Sequence, residues 1–284
     1  MSTPIVATIG GMSFAIDDSS PHTLATMQGW YSGAPRRVEV EDNPTSDGAS
    51  EVERDYLSAR VITLTGALTS VSVDRAITDV WSAFAALQSD GRPSLFTVTD
   101  ASGPKHVLAS VAINDIDPGV NGRAEYVLQL VARDPVKYGP VRSVVTGLPM
   151  AGGGLEYPLH NPSGALYYGA NGTLGRVSLT NSGTARVWPT VTVIGGLTLG
   201  FFVQRLDTGQ VVRYDRVVPD GSSVAIDFKS GEVLIDGVSD GSTYLTRYEF
   251  FSVGPGETVE VQFNPIVGST GTPTATFYIS DGYR

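Results

Sequence analysis

The stretch Ala132-Arg133-Asp134-Pro135-Val136-Lys137-Tyr138 decides how this sequence divides into domains. It closes a strand-rich first half and is followed by the Gly- and Pro-containing run Gly147–Gly154. Everything after that run has the pattern of a second all-β domain. Because domains commonly hold about 100–200 residues, a chain of 284 residues has room for two cores. We therefore predict one domain at residues 1–148 and a β-sandwich domain at residues 149–284.

The composition favours a compact, turn-rich protein and argues against nucleic-acid binding. The 33 glycines and 17 prolines lie between short β-branched runs, as in β-rich folds with many tight turns. The formal net charge is -10 and both halves share it, with 11 Lys+Arg against 17 Asp+Glu in residues 1–148 and 8 against 12 in residues 149–284. Groove binding requires a cationic surface, which neither half provides. The absence of cysteine excludes disulfides and thiolate metal sites.

The sequence predicts neither a secretion signal nor a membrane span. Met1–Ile5 has no basic region before an apolar run, and the longest apolar stretch, Val191–Val203, is interrupted by Gly195 and Gly196. A membrane span takes roughly 20 apolar residues, and a secretion signal needs a basic start. We therefore expect a protein that is made in the cytoplasm and does not insert into a membrane.

The first half has the pattern of several strands and one helix. The predicted strands are Pro4–Ile9, Met12–Ile16, Thr23–Trp30, Arg60–Leu68, Ser94–Thr99, Val107–Ile113 and Ala124–Ala132. Between them, Val73–Gln88 carries apolar residues at helical spacing, with Asp74 in the first turn. A helix over a sheet buries its apolar face, so Trp81 and Phe84 are predicted core residues and not a ligand site. This half is therefore predicted to be an α+β domain, with antiparallel sheets and one flanking helix.

A polar insertion at Glu39–Asp55 interrupts the first half. It contains seven acidic residues together with Pro44 and Gly48, and almost no apolar ones. An insertion of this length inside a compact domain is usually functional or disordered. Two interpretations stay open, a solvated loop and an arm that contacts a partner. If the segment faced a conduit for DNA, its acids would repel the phosphates.

The second half has strand periodicity and no helical period. Thr258–Phe263 alternates between polar and apolar residues, as do Arg176–Leu179 and Thr190–Val193. Turn signals recur at Asp207-Thr208-Gly209, Pro219-Asp220-Gly221, Lys229-Ser230-Gly231 and Asp240-Gly241. Turns at such spacing are typical of a β-sandwich. Ile226–Ile235 is predicted to be a hairpin in which Gly231 takes the positive φ of the turn.

No motif in the sequence predicts catalysis. Gly237–Gly241 fits the pattern of a nucleophile elbow around Ser239, but such a serine must lead into a helix, and Ser242–Phe251 is rich in strand-forming residues. The histidines of the chain all precede this serine, and they are His22, His106 and His160. Three acidic residues could converge across strands and act as the carboxylate pair of a glycosidase, namely Glu232, Asp236 and Asp240. The simpler interpretation is that they are turn residues. We predict no catalytic residue.

No metal or cofactor site is predicted either. Asn114–Gly119 resembles a calcium loop, but Pro118 occupies a ligand position and the distal bidentate glutamate is missing, so a plain turn is expected. The glycines of Gly169–Gly175 have the wrong spacing for a dinucleotide fingerprint, and the histidines lack zinc-ligand spacing. Six aromatic residues could stack on sugar rings, and they are Tyr167, Tyr168, Trp188, Tyr214, Tyr244 and Tyr248. Most of them are expected to belong to the core or to an interface instead.

Short motifs along the chain carry a resemblance to a known family. They are Arg60–Gly66, Ala132–Pro135, Leu179–Thr184, Trp188–Gly196 and Val253–Glu257. In this order they resemble the strand before the helix, the strand end that closes the first domain, and the later turns of the distal tail proteins of siphophages, which are phages with long non-contractile tails. The resemblance covers most of the chain and is weakest at the acidic segment, residues 41–56.

The resemblance implies a structural role in a virion. Distal tail proteins pair an N-terminal ring-forming domain with a C-terminal galectin-like β-sandwich. The implied assembly is a homo-hexamer in which residues 1–148 form the ring and residues 149–284 project outward. The implied partners are the tail tube protein above the ring and the tail-tip hub or baseplate proteins below it. The implied function is therefore an adaptor ring without enzymatic activity or cofactor, at the tail tip of the virion.

A carbohydrate-binding or host-adhesion module is the alternative interpretation, with a host glycan as the partner. A galectin-like fold does not by itself imply sugar binding, because function belongs to a site and not to a fold. Rings with a central channel in electron micrographs would favour the adaptor. Monomers with affinity for sugars would favour the alternative. An enzyme, the third class, has the least support.

Overall fold

The computed structural model describes residues 5–17, 20, 22–37, 45, 47, 56–69, 78, 81, 82, 85, 92–118, 123–150, 152 and 172–284. The chain forms two compact units, Met1–Gly139 with Tyr283–Arg284, and Pro140–Gly282. The division predicted at 148/149 assigned Arg142–Gly147 to the first domain. In the structure this segment is a strand that pairs with Thr274–Ile279 of the second unit. The Gly- and Pro-containing run that suggested 148/149 comes after that strand.

The first unit is built almost entirely of strands. They are β1 (Val6–Ile9), β2 (Met12–Ala15), β3 (His22–Gln28), β4 (Arg36–Arg37), β5 (Tyr56–Leu57), β6 (Arg60–Thr69), β7 (Ser94–Asp100), β8 (Gly103–Pro118), β9 (Arg123–Ala132) and β10 (Lys137–Tyr138). Strands β4 and β5 form a separate ribbon. The pair β2–β3 is parallel, whereas the other pairs with a described register are antiparallel, as the sequence predicts.

The long strand β8 closes the sheet on itself. Gly103–Ala109 of β8 pair with β7, whereas Ser110–Pro118 pair with β9. The sheet order then runs from β7 through β1, β2, β3 and β6 to β9, so that the pairings form a ring. A register shift between Val111 and Ile113 marks a bulge at the transition. A bulge bends its strand, and bending is what allows one strand to serve both ends of a curved sheet.

The side chains that point into this closed sheet form one apolar core. Strands β7, β8 and β9 alternate between buried and more exposed residues, as half-buried strands do. The largest members of the core cluster are Phe14, Trp30, Phe96 and Tyr126, and its aliphatic members include Ile9, Leu24, Ile62, Leu64, Leu68, Val98, Val107, Leu128 and Leu130. The core is therefore the inner face of the strands that the sequence predicts.

Gly66, in the middle of β6, makes room for a buried tyrosine. A Cβ atom at this position would lie 1.9 Å from the Thr23 carbonyl oxygen and 2.5 Å from the Tyr126 hydroxyl. The Tyr126 hydroxyl donates a hydrogen bond of 3.1 Å to the same carbonyl. The glycine that ends the motif Arg60–Gly66 is thus required by packing.

Two cations are buried in the first unit without a carboxylate partner among the described residues. Arg60 is 1% exposed, and its guanidinium donates to the carbonyls of Pro135 (2.9 Å), Gly29 (2.7 Å) and Ser32 (2.7 Å). Lys137 is 7% exposed, and its Nζ donates to the Trp30 carbonyl at 3.0 Å. Burial lowers the pKa of Lys137 to about 8, and the positive charges of Arg60 and Lys105 act in the same direction. The stretch Ala132–Tyr138 is therefore fixed to the barrel by its own polar groups.

The predicted helix Val73–Gln88 lies almost wholly outside the described residues. Its described members Thr78, Trp81, Ser82 and Ala85 have helical backbone. Trp81 is 61% exposed, so the core position predicted for it is wrong, and Phe84 lies outside the described residues. Helical spacing identifies an apolar face but not what covers that face. Of the acidic segment Glu39–Asp55, only Thr45 and Asp47 are described.

The second unit is a β-sandwich of two sheets, as predicted. Its strands are β11 (Arg142–Gly147), β12 (Arg176–Thr180), β13 (Thr190–Ile194), β14 (Phe201–Arg205), β15 (Val211–Tyr214), β16 (Ser223–Asp227), β17 (Val233–Ile235), β18 (Ser239–Asp240), β19 (Leu245–Tyr248), β20 (Thr258–Pro265) and β21 (Thr274–Ile279), and β22 (Gly282–Tyr283) is the last strand of the chain. One sheet has the order β11-β21-β13-β16-β17-β18, and the other has the order β12-β20-β14-β15-β19. The predicted hairpin is the pair β16–β17, and Gly231 in its turn has a φ of 76°.

The sandwich core consists of the apolar residues that alternate along these strands. In β20, Val259, Val261 and Phe263 are buried while Thr258 and Glu260 are exposed. The facing sheet contributes the fully buried Val191, Val193, Ile226 and Phe277. Burial of such residues is the main favourable term for folding. The period-2 pattern in the sequence therefore specified both inner faces.

Asn181 holds together three segments of the second unit. It is fully buried, and its side-chain amide donates to the carbonyls of Ala185 (2.8 Å) and Gly254 (2.9 Å). Its side-chain carbonyl accepts from the backbone N–H groups of Gly183 (3.0 Å) and Gly282 (3.2 Å). The motifs Leu179–Thr184 and Val253–Glu257, far apart in sequence, therefore meet at one amide.

We predict that Asn181→Ala destabilises the protein by about 3 kcal/mol, because several buried backbone groups lose their hydrogen bonds at once. Chemical denaturation followed by circular dichroism measures the change. The control is Asn264→Ala, at a half-buried position whose side chain accepts one hydrogen bond from Gln262. A loss below about 1 kcal/mol for Asn181→Ala would contradict the structural role.

The pKa of Lys137 predicts a pH dependence of stability. Its folded pKa of about 8 lies below the ordinary value of 10.5, so between these values the unfolded state binds more protons and the free energy of unfolding rises with pH. Lys137→Met is expected to remove this rise between about pH 8 and pH 10. The measurement is the difference in unfolding free energy between wild type and variant across that range, with the exposed Lys229→Met as control. Parallel curves for wild type and Lys137→Met would refute the assignment.

Candidate assembly surface

The outer side of the barrel carries an exposed apolar face. Its members, with their exposed fractions, are Val61 (44%), Leu95 (52%), Leu108 (57%), Ile113 (49%) and Val127 (38%). They lie on the adjacent strands β6, β9, β8 and β7. We call this set the outer apolar face. Contiguous apolar patches on a folded protein generally mark interaction sites.

The strand register makes the outer apolar face continuous. Leu95 lies directly opposite Leu108, and Val61 lies opposite Val131. Val131 in turn lies opposite Ser110 of β8, two positions from Leu108. After the bulge in β8, Ile113 lies opposite Gln129. The bulge therefore keeps Ile113 on the outer side after the inserted residue, and the side chains form one surface across the four strands.

The two ends of this face have opposite charge. At one end Asp115, Asp117 and Glu125 are exposed, and Asp117 lies directly opposite Glu125. Like charges directly opposite on a sheet destabilise it, and an approaching cation relieves that repulsion. At the other end Arg133 follows β9 and is exposed. From Glu125 to Arg133 the strand extends about 26 Å, at about 3.3 Å per residue.

The sequence predicted a plain turn at Asn114–Gly119, and this is wrong. Asn114 to Pro118 continue strand β8, with Asn114 opposite Leu128 and Asp117 opposite Glu125. The turn was predicted because acidic residues and proline are unfavourable in strands. In the structure, pairing with β9 determines the conformation of this segment. The acids are therefore part of a sheet surface. In the described part of the chain, no group of acids and histidines has the arrangement of a metal site.

The candidate nucleophile Ser239 lies in the short exposed strand β18, opposite Ile235. The chain then forms a single 3-10 turn at Ser242–Tyr244 and strand β19, not the helix that a nucleophile elbow requires. His22 and His106 belong to strands of the first unit, and His160 is outside the described residues. Ser239 is therefore not on a strand-to-helix turn, and the described part of the second unit contains no histidine that could act as its base.

The candidate carboxylates have structural roles in turns. Asp236 has a positive φ of 52° and accepts a hydrogen bond of 2.7 Å from the Ser223 backbone N–H. Asp240 accepts from the backbone N–H of Ser242 at 2.9 Å and from its hydroxyl, and these bonds lower the pKa of Asp240. Glu232 follows the hairpin turn at Gly231 and pairs through its backbone with Asp227. The carboxylates of Asp236 and Asp240 therefore stabilise turns by accepting hydrogen bonds from the backbone.

The aromatic residues singled out from the sequence separate into different environments. Tyr214 is fully buried and its ring stacks on Phe201 at 5.4 Å, as predicted for a core residue. Tyr248 is 69% exposed, and Tyr244 contacts the Arg216 guanidinium at 4.2 Å. Trp188 is half-buried and lines a surface cavity. Tyr167 and Tyr168 lie outside the described residues, as do the first three residues of Gly169–Gly175, whose last residue leads into β12.

Among the described residues, no helix is long and apolar enough to cross a bilayer. The sequence had no signal for the outer apolar face, because Leu95, Leu108 and Ile113 are ordinary strand residues in the alternating pattern. Only the closure of the barrel shows which side of each strand remains uncovered.

Part of the second unit matches a known family by sequence, and the whole chain matches solved structures by fold. Residues 182–277 match the family of siphovirus-type tail components, C-terminal domain. The chain is similar in structure to the Dit protein of phage SPP1, described as a paradigm of the hub adsorption apparatus in phages that infect Gram-positive bacteria, with a TM-score of 0.66, 13% identity and 99% of each chain covered. It is also similar to a chain of the phage P2 baseplate in its activated conformation, with a TM-score of 0.56, 8% identity, and 98% of this chain and 97% of that chain covered. No curated protein sequence matches the chain.

The family match and the fold support the same assignment. The matched residues 182–277 cover most of the β-sandwich, from the segment after β12 to within β21. The fold shared with the SPP1 protein extends over both units. By sequence, residues 182–277 therefore match the C-terminal domain of siphovirus-type tail components, and the whole chain has the fold of the SPP1 Dit protein.

Proposed function

We propose that this protein forms the adaptor ring at the distal end of a long non-contractile phage tail. The chain is a structural tail component, and as such it belongs to the virion. The observation that supports a ring is the outer apolar face with its acidic and basic ends. The likeness to a hub protein and to a baseplate protein supports its position at the tail tip.

The ring would form by a head-to-tail contact between first units. A surface with an acidic end and a basic end matches a copy of itself when the acidic end of one copy meets the basic end of the next. Contacts of this type generate a closed ring if the rotation between copies closes. The number of six copies is implied by the resemblance to the distal tail proteins. The first unit would carry the ring, and the second would project outward.

The tail tube protein and the tail-tip hub are the proposed partners on the two sides of the ring. The protein would be made in the host cytoplasm and would act without cofactor, metal or catalysis. The position of the acidic segment Glu39–Asp55, in the channel or on the outer rim, stays a prediction. Host adhesion through a glycan is the alternative function.

Leu108→Glu is expected to prevent ring formation, because it places a charge in the centre of the outer apolar face without touching the core. Native mass spectrometry and negative-stain microscopy of the full chain measure the assembly. The matched control is Val267→Glu in the second unit, at a position that is 95% exposed and lies outside this face. The free energy of unfolding of both variants should lie within about 0.5 kcal/mol of the wild-type value, as is usual for surface substitutions. Rings of normal abundance in Leu108→Glu would contradict the proposed interface.

Charge reversal tests the direction of the contact. Asp117→Arg alone and Arg133→Glu alone should each weaken assembly at least tenfold, which corresponds to about 1.4 kcal/mol. The double variant should assemble better than either single variant, because the reversed charges again face each other across neighbouring copies. Assembly of the single variants should depend less on salt concentration than assembly of the wild type. If the double variant is no better than the singles, the two ends do not meet.

We also expect Ser239 to have no catalytic role. Ser239→Ala should change stability by less than about 0.5 kcal/mol, because the residue is exposed in a short edge strand. The wild type should show no turnover of activated esters, and the variant should still assemble. A hydrolytic activity that disappears with this one substitution would make the protein an enzyme.

A further inference from the structure

One end of the second unit exposes aliphatic side chains from several turns. Strand β13 ends at Ile194, which lies opposite the first residues of β16 and β21. The first residue of β14, Phe201, lies opposite the last residues of β15 and β20. The connections β13–β14, β15–β16 and β20–β21 therefore meet at this end. Its exposed aliphatic residues, which we call the apolar end, are Ile194 (50%), Leu199 (49%), Val217 (51%), Val238 (84%) and Val267 (95%).

The opposite end of the sandwich has a different chemistry. The turn between β16 and β17 carries Lys229 and Glu232, and the turn between β14 and β15 carries Asp207, all of them exposed. Charged turns of this kind are ordinary for a protein surface. Exposed apolar residues that cluster on one side of a folded protein generally mark an interaction site. The apolar end is therefore a candidate interface.

Hydrogen bonds hold the connections of the apolar end against one another. The backbone N–H groups of Leu197 and Val218 each donate to the carbonyl of the other, at 2.8 and 2.9 Å. The Thr198 backbone N–H donates to the Thr270 carbonyl at 3.1 Å, and the Thr270 backbone N–H donates to the Thr198 hydroxyl at 2.9 Å. The aliphatic side chains are thus presented on preformed turns. Binding to preformed turns requires little further ordering of the chain, which favours affinity.

A cavity of about 400 Å³ opens between these connections. Its lining includes Leu197, Val217, Val218 and Pro219, and its one charged lining residue among those described is Asp220. A Cβ atom at Gly196 would lie 2.1 Å from the Asp220 carboxylate, so this carboxylate lies against the wall of the cavity. Asp220 is exposed and has no hydrogen-bond or ion-pair partner among the described residues. The cavity therefore combines an aliphatic wall with an unpaired negative charge.

We propose that the apolar end docks another protein of the tail tip, through a segment in which an aliphatic side chain lies beside a lysine or an arginine. The aliphatic side chain enters the cavity next to Val217, and the cation pairs with Asp220. Residues that fill such pockets contribute most of the binding energy of protein interfaces. Charge complementarity determines which partner fits. The inference rests on the proposed function only in that the partner is a tail protein.

A second copy of the chain fits the apolar end less well than a different protein. A contact between two apolar ends brings the exposed carboxylates of Asp220 and Asp236 close to those of the other copy, and like charges across an interface are unfavourable. The cation of the connection β15–β16, Arg216, lies over the Tyr244 ring at 4.2 Å. It is therefore already engaged within its own unit.

A membrane surface also fits the apolar end less well. Sites that bind bilayers combine apolar residues with aromatic side chains at the interface and with lysine or arginine that attracts anionic lipids. The five residues of the apolar end are all aliphatic, and the charged group at its cavity is a carboxylate. These features favour a protein partner that brings its own cation.

The first test measures whether the apolar end is covered in the virion, and it uses the absence of cysteine in this chain. Val217→Cys is introduced into the full chain, and its rate of labelling by a maleimide is compared between purified protein and intact virions. We expect labelling to be about tenfold slower in virions, because interface anchors are shielded from water. Thr208→Cys, in an exposed turn at the opposite end, is the control and should be labelled at similar rates in both.

The second test concerns the chemistry of the partner. Mass spectrometry of purified tails gives the amount of each protein relative to this chain. Asp220→Lys should reduce one other tail protein by about tenfold, because the cation of that protein meets a like charge. Glu232→Lys makes the same charge change in an exposed turn of the opposite end and should leave the composition unchanged. Replacing the cation of the lost protein by aspartate should restore its incorporation into tails with Asp220→Lys.

The outcomes separate this proposal from its alternatives. Equal labelling of Val217→Cys in virions and in purified protein would overturn it, as would tails of normal composition with Asp220→Lys. Protection of Val217→Cys already in purified rings would assign the apolar end to a second copy. Flotation of the purified protein with phosphatidylcholine vesicles, lost in Val267→Glu, would assign it to lipid instead. Rings are measured separately on the purified chain, so their absence would count against the adaptor ring alone.

Discussion

The double pairing of strand β8 is the constraint on which the first unit depends. One half of the strand pairs with β7 and the other with β9, so a single strand joins the two ends of the sheet. Closure gives each strand an inner side, which becomes the core, and an outer side. The outer side keeps apolar residues exposed at positions such as Leu95 and Leu108. The same constraint therefore produces both the core of the closed sheet and the outer apolar face.

Polar groups buried among backbone carbonyls fix the connections between the strands. Arg60 and Lys137 anchor the chain after β9 to the loop around Trp30. Asn181 connects two turns and the end of the chain in the second unit. A buried polar group without partners is costly, so each of these residues specifies one arrangement of its segments. The short motifs that resemble the distal tail proteins are thus structural, since Arg60, Gly66 and Asn181 lie within them.

The two units carry surfaces of different chemistry. The outer apolar face of the first unit has few groups that could recognise a small molecule, but its charged ends suit a second copy of the chain. The cavity at Trp188 in the second unit is small and mostly polar, and its ion pairs are already formed without a ligand.

The sequence by itself determined the strand pattern, the two-unit organisation and the family resemblance. Alternation of apolar and polar residues, as in Thr258–Phe263, reports directly which residues face a core, because side chains alternate across a strand. It did not determine the boundary at Gly139, since the strand after that residue pairs with β21, more than a hundred residues later. Nor did it determine that Asn114–Pro118 is a strand, because local propensity favours a turn there and only pairing with β9 overrides it. The outer apolar face and the cavity at Trp188 were decided by tertiary structure alone, since each brings together residues that no spacing in the sequence connects.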